Sequence, residues 1–261
     1  MTNSRKRRLT MAQREARLRS VLEKHGEASV TSLSVEMGVS EMTLRRDLDR
    51  LERTGFVRRT HGGAVVAERL EFAFDFASRR RSNQKAKRAI AAAAAKLVSP
   101  GSVILLDGGT TTLELAVLLR NAKDLVVVTP SLAVASTLQF SEGVKTILLG
   151  GVLGRGSPDL TGEVAEAALA LLAVDIAFQG ADGIGLDGSL YTGDLGTARL
   201  DRCIRERAGR TYVLADSSKI GRTALVCHGT LGEMNGLITD QGILPERLEA
   251  LNKLGVSITV V

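Results

Sequence analysis

No apolar run in this 261-residue chain approaches the roughly 20 residues a helix needs to cross a bilayer, which excludes a helical membrane span. The opening stretch, MTNSRKRRLTMAQREARLRS, has a basic cluster but no apolar segment behind it, so no secretory leader is expected and the chain should stay in the cytoplasm. Cysteine is nearly missing. Cys203 and Cys227 are too few for a disulfide framework and are expected as buried, reduced thiols. Cys227 is followed by His228, but no second pair stands at zinc-ligand spacing, so neither a metal nor a cofactor is expected. A Ser-His-Asp constellation is lacking as well.

What is present is a core and an uneven charge. With 44% of residues in the hydrophobic set, the chain is long enough for one large domain or two smaller ones. Residues 1–62 hold 14 basic and 8 acidic side chains, residues 63–90 hold 7 and 3, and residues 91–261 hold 14 and 18, so the net +6 belongs to the first third. That asymmetry suggests a nucleic-acid-binding head on a mildly acidic body.

The head reads as three helices and a hairpin. Ala16, Leu18, Val21 and Leu22 recur at helical spacing up to His25-Gly26. After Glu27-Ala28-Ser29, Val30, Leu33 and Met37 share a face that ends at Gly38. Ser40 then stands as an N-cap before Leu44, Leu48 and Leu51, an i, i+4, i+7 stripe closed by Gly55. Three helices joined by short turns predict a helix-turn-helix whose third helix reads DNA. With the leucines inward, Thr43, Arg46 and Arg50 are expected on the opposite side and Arg45 on its flank, where arginine can grip guanine or phosphate. Asp47 and Asp49 are interspersed, so part of that face also reads as a salt-bridged surface. The segment 56-FVRRTHGGAVV-66 alternates apolar and basic positions around a Gly-Gly turn, as a β-hairpin wing would, and offers Arg58, Arg59 and His61 as backbone or minor-groove contacts.

The body alternates helices and strands. A helix is expected over 85–98, and strands at 103–107, 125–129, 145–150, 175–180, 211–216, 236–239 and 256–261, with helices at 111–120, 131–139, 162–172 and 196–208 between them. Continuous aliphatic strands separated by helices predict an α/β fold with a mainly parallel sheet covered on both faces. The polar loops after the strands then converge at one sheet edge. One of them, 107-DGGTTT-112, turns on two glycines into a helix and presents backbone N–H groups that suit a phosphate. It lacks a P-loop lysine. Gly109, Thr110, Thr111 and Thr112 are the expected cradle, Lys219 or Arg155 the charge, and Asp107 and Asp182 acceptors for sugar hydroxyls.

The run 39-VSEMTLRRDLDRLERTGFVRRTHGGAV-65, with its T-L-R-R-D-L core and its R-T-H-G-G-A end, resembles the winged helix-turn-helix of DeoR-family bacterial transcriptional regulators. The pieces 87-KRAIA-91, 107-DGGTTT-112, 149-LGG-151, 180-GADGI-184 and 215-ADSSK-219 are similar to the C-terminal domain of that family. The resemblance implies a body related in fold to ribose-5-phosphate isomerases and coenzyme A transferases. It also implies an effector site for a phosphorylated sugar or related metabolite at Asp107, Gly109, Thr110, Thr111, Asp182 and Lys219, with Lys87 nearby. Against the family pattern, Thr129-Pro130-Ser131 replaces a threonine-asparagine-serine turn, Asp194 an asparagine, Thr197 a glutamate, and Asp201-Arg202 a lysine-arginine pair. An acidic Asp194 is expected to repel a nearby phosphate.

The organisation expected is thus a DNA-binding winged helix-turn-helix at 1–66, a connector at 67–84, and an effector-sensing and oligomerisation domain at 85–261. The function expected is a regulator, in the first instance a repressor of carbohydrate genes, that binds double-stranded operator DNA as a homo-oligomer and touches no membrane. An isomerase-like enzyme carrying a DNA-binding domain is the alternative, with Asp182 as its base. A body that only assembles oligomers is a third.

Overall fold

Leu44, Leu48 and Leu51 carry the inward stripe of the third helix, and in the computed structural model all three are fully buried. The structure describes residues 10–25, 27–53, 57–59, 62–66, 76–154 and 157–261. The chain divides into two units, Met1–Glu71 and Phe72–Val261.

The first unit runs α1 (Met11–His25), β1 (Glu27–Ser29), α2 (Val30–Met37), α3 (Glu41–Arg53), β2 (Val57–Arg59) and β3 (Gly63–Val66). Gly38 ends α2 in the left-handed region, at φ 64°, which glycine reaches without a Cβ clash. The Ser40 hydroxyl accepts the Thr43 N–H at 3.3 Å, capping α3. Leu18 and Leu22 of α1, Val30 and Leu33 of α2, the three leucines of α3, and Val57 and Ala64 of the hairpin form one core. The wing has three strands where the sequence suggested two. Residues 27–29, expected as a turn, pair antiparallel with β3, giving the order β1-β3-β2. Gly63 sits where a Cβ would lie 2.3 Å from the Ala28 carbonyl oxygen, so this tight pairing requires a glycine.

The second unit continues with α4 (Phe76–Arg81), α5 (Gln84–Ala95), β4 (Val103–Leu106), α6 (Thr110–Leu119), β5 (Leu125–Thr129), α7 (Leu132–Leu138) and β6 (Val144–Leu148). Next come β7 (Val152–Leu153), β8 (Leu160–Thr161), α8 (Glu163–Ala170), β9 (Val174–Gln179), β10 (Gly183–Ile184), β11 (Ser189–Thr192) and α9 (Leu195–Arg207). It ends with β12 (Ala208–Leu214), β13 (Val226–Thr230), β14 (Gly236–Thr239), α10 (Pro245–Asn252) and β15 (Ile258–Val260). Seven strands form one sheet in the order β15-β14-β12-β9-β4-β5-β6, and every pair in it is parallel.

Period-2 alternation divides each strand between two cores. Ile104 and Leu106 pack with Ile176, Phe178 and residues of α5, α6 and α7. Leu105 and Ala177 turn the other way, onto Ala165 and Leu169 of α8 and Leu200 and Ile204 of α9. Covering on both faces explains why the strands read as unbroken aliphatic runs. Val213 and Leu237 meet a third cluster beneath a small antiparallel sheet, β10-β11-β13, that the sequence had shown only as polar loops. Strand β13 is the edge of that sheet, which leaves Cys227 exposed, and Cys203 on α9 is half-buried, so neither thiol is fully buried as expected. The run Arg79-Arg80-Arg81, read as connector, is the end of α4 in the second unit. Among the described residues no helix is long and apolar enough to cross a membrane.

Leu48→Ala is expected to cost the first unit about 2–5 kcal/mol. Hydrogen exchange in rising urea checks this: protection of α1–α3 amides should fail at lower urea while the seven-stranded sheet is unaffected, and an equal loss in both would contradict the division into two units.

Candidate functional site

The chain lays down β4, β5 and β6 in one direction, returns to place β9 beside β4, and continues the other way through β12, β14 and β15. The reversal between β4 and β9 is the topological switch point, and in open α/β sheets ligands bind in the crevice outside the strand ends there. The loops at this place are 107–109 and 180–182.

Asp107 joins them. Its Oδ1 accepts the Gly109 N–H at 2.8 Å and the Thr112 hydroxyl at 2.6 Å, and its Oδ2 accepts the Gly180 N–H. Burial pushes this carboxyl up from its ordinary range, against those hydrogen bonds. Gly109 starts α6 in extended conformation with no side-chain cap, so by helix geometry the N–H groups of Thr110, Thr111 and Thr112 have no intrahelical acceptor. Thr110 and Thr111 are buried, and their hydroxyls bond to nothing among the described residues. A carboxylate or phosphate there would meet donors and the positive end of the helix dipole.

Charged side chains surround this helix end. Asp182, in the loop after β9, accepts the Gly193 N–H at 2.8 Å and pairs with Arg79 of α4. Lys219, on a single 3-10 turn after β12, is partly buried; burial lowers its ammonium pKa first and the Arg79 charge second, while Asp182 and Asp216 oppose them. On the other side of the loop stands Asp159, brought in by the pairing of residue 159 with Ser131. Gly108 packs directly on its carboxylate, where a Cβ would lie 1.7 Å from Oδ1. Burial raises the Asp159 carboxyl to about 6 against the Ser157 hydroxyl bond, with the Asp107 charge adding to the rise.

The residues expected for an effector therefore separate. Gly109, Thr110, Thr111, Asp182 and Lys219 flank the switch point. Asp107 and Thr112 hold the turn together from inside, so Asp107 is a tie between loops where a sugar-hydroxyl acceptor had been expected. Lys87 is buried and donates to the carbonyls of Arg79 and Ser82, so it fastens the end of α4. Arg155 lies outside the described residues. Asp194 caps α9, accepting the Thr197 N–H at 2.8 Å and the Thr197 hydroxyl at 3.1 Å. Asp201 accepts from the Gln179 side chain, and burial drives its carboxyl well above the usual range, while Arg202 donates to the carbonyls of Cys227 and His228. Sequence reasoning missed Arg79 and Asp159. Arg79 sits in a charge run that looks like a solvated linker, and Asp159 reaches the site only through strand pairing. A separate open cavity of about 580 Å³ lies where α9 meets β13, but its arginines are spent on Glu233 and on backbone carbonyls.

On the first unit, α3 presents Glu41, Met42, Arg45, Arg46 and Asp49 outward. Arg46 has no partner among the described residues, Arg45 lies 3.6 Å from Glu41, and Ser40 and Thr43 share a hydroxyl contact of 3.0 Å at the helix start. Arg50 departs from the expected face. It pairs at 3.4 Å with Asp47, which is buried and binds Arg14 at 2.7 Å, so these three charges lock α3 to α1. Arg58 and Arg59 lie on β2 opposite Val65 and Ala64. His61 lies outside the described residues.

Residues 14–69 match the DeoR-like helix-turn-helix domain, and residues 82–241 match the DeoR C terminal sensor domain. A candidate aga operon transcriptional repressor of Escherichia coli O157:H7 is 36% identical over 242 residues, 92% of this chain and 90% of that protein. The glycerol-3-phosphate regulon repressor of Escherichia coli strain K12 is 31% identical, covering 89% of this chain and 92% of its own length. Among solved structures, ribose 5-phosphate isomerase A from Methanocaldococcus jannaschii overlaps 53% of this chain and about half of its own, 55%, at 25% identity and a TM-score of 0.41.

Asp159 and His228 give opposite pH signatures. A carboxyl raised from 3.8 to about 6 contributes stability that is fully present below the unfolded value and lost as pH rises to about 6. His228, held down to about 4 by burial and then by Arg205 and Arg202, contributes stability that is lost as pH falls from 6.5 toward 4. Asp159→Asn should therefore gain on the wild type as pH rises from 4 to 6, by about 2–3 kcal/mol. Melting both proteins across that range checks it, and parallel curves would contradict a buried, raised Asp159.

Proposed function

The chain belongs to the DeoR family of DNA-binding transcriptional regulators, and we propose that its second unit senses a phosphorylated sugar or related metabolite and adjusts DNA affinity accordingly. The observation that carries this reading is the uncapped N-terminus of α6 at the switch point, with the unbonded Thr110 and Thr111 hydroxyls in its first turn and Lys219, Arg79 and Asp182 on the neighbouring elements. Anionic and hydroxyl-bearing ends of one small molecule fit that combination. Gly109, Thr110, Thr111, Lys219 and Asp182 bind the effector in this reading, and Asp107 and Thr112 set the loop. A relative named for the regulon of glycerol 3-phosphate, a small phosphorylated metabolite, supports the ligand class and control of carbohydrate genes, chiefly by repression.

DNA contacts are assigned to Thr43, Arg45 and Arg46 on α3, with Ser40 at its start and Arg58, Arg59 and His61 on the wing. The protein acts in the cytoplasm as a homo-oligomer, so that paired reader helices meet half-sites about 34 Å apart or a multiple of that. No catalysis is assigned: the relatives are regulators, and the carboxylates at the switch point are held by internal donors.

An operator selected from random duplex DNA tests both halves. Arg46→Ala is expected to weaken binding about tenfold or more and to flatten its salt dependence. A bound sugar phosphate should shift wild-type operator affinity by about 1–3 kcal/mol and raise the melting temperature, and Lys219→Ala should lose that response. Operator affinity indifferent to the whole sugar-phosphate panel would rule out the sensing role.

A further inference from the structure

Arg79 occupies the candidate site from a helix that the family motifs do not include. Among the described side chains of α4, Phe76 packs on the core, while Ser78, Arg80 and Arg81 are exposed. Polar contacts hold the far end of the helix. Buried Lys87 donates to the Arg79 and Ser82 carbonyls, and Asn83, in the left-handed region at φ 48°, donates to Asp216 at 2.9 Å. These ties deliver the Arg79 guanidinium to Asp182, at side-chain exposures of 24% and 15%.

Arg79 pairs with Asp182, and Lys219 feels the charges of both Asp182 and Asp216, the latter also accepting from Asn83 and from the Ser218 N–H at 3.1 Å. Gly180, two residues before Asp182, lies against Gly109 at the start of α6. An incoming phosphate thus meets a guanidinium paired to the Asp182 carboxylate, and offers it more acceptor oxygens and more charge than that carboxylate does.

We propose that Arg79 is an effector-binding residue held in reserve: Asp182 neutralises it in the effector-free protein, and a phosphate at the α6 N-terminus draws it away, freeing Asp182 for the ligand's hydroxyls and shifting α4. The proposal rests on the switch point binding a phosphorylated metabolite. Helix α4 is the first described element after residues 67–75, which join the two units in sequence, so the exchange of partners acts at the end of the chain nearest the DNA-binding unit. Ligand and DNA are then coupled because the ligand binds the two α4 arrangements unequally.

Titration calorimetry and hydrogen exchange on the full chain test this, with inorganic phosphate, glycerol 3-phosphate, ribose 5-phosphate and glucose 6-phosphate as probes. Arg79→Gln is expected to weaken binding of any probe about tenfold or more, with Arg79→Lys recovering part of it. Asp182→Asn keeps Arg79 and removes its rival, so it should bind inorganic phosphate more tightly than wild type and exchange faster over 76–83 before any probe is added. If the pair were only structural, both variants would weaken binding. Tight binding by Arg79→Gln, or a probe that protects 109–113 while leaving exchange over 76–83 unchanged, overturns the proposal and leaves the sensing reading standing. Failure of every probe to protect 109–113 in every variant defeats the sensing reading, and the proposal with it.

Discussion

One buried carboxylate decides whether this molecule has a switch point at all. Removing the Asp107 side chain from water is costly, and the cost is offset only because three donors converge on it from two loops that are remote in sequence. The Gly109 N–H and Thr112 hydroxyl fix how α6 begins, and the Gly180 N–H fixes where the loop after β9 leaves the sheet. Orientation of the uncapped helix end relative to Asp182 follows from that single side chain. Parallel strands alone would bring the two loops to the same edge without setting their spacing.

The same device recurs at smaller scale in the first unit. Asp47 is buried between Arg14 and Arg50, and its pairing holds α1 against α3. In both units a carboxylate buried beside internal donors does mechanical work, and the neighbouring exposed charges are left to meet a partner. A residue's sign therefore says less about its role than its burial does. Asp107 and Asp182 stand on neighbouring loops, after β4 and β9, yet the first is consumed in holding the fold and the second faces Arg79.

Elements governed by local periodicity were legible in the sequence. The α3 stripe, its Ser40 cap and Gly38 stop, and all seven strands of the parallel sheet follow from hydrophobic spacing and turn residues, with ends displaced by a few residues at most. Legibility failed where long-range pairing decides the outcome. Residues 27–29 are too short and polar to read as a strand without β3, and 183–184, 189–192 and 226–230 become a sheet only against one another. Side-chain roles failed for a similar reason. Lys87 and Asp107 carry the right chemistry for a phosphorylated sugar, but their partners, the end of α4 and Gly180, are set by tertiary contacts. The capping role of Asp194 shows only once Thr197 places its N–H and hydroxyl on it. Arg50 shares the spacing of an outward residue and is drawn aside by a buried carboxylate that composition cannot locate.

Helix α4 lies on the sensor side of residues 67–75, and the wing ends on the other side at Val66. Nine residues, 67–75, separate the two in sequence, and the reach of a chain grows by at most about 3.3–3.6 Å per residue. In an assembly of two such chains, the effective concentration of the second reader at its half-site depends on the length of the segment that tethers it.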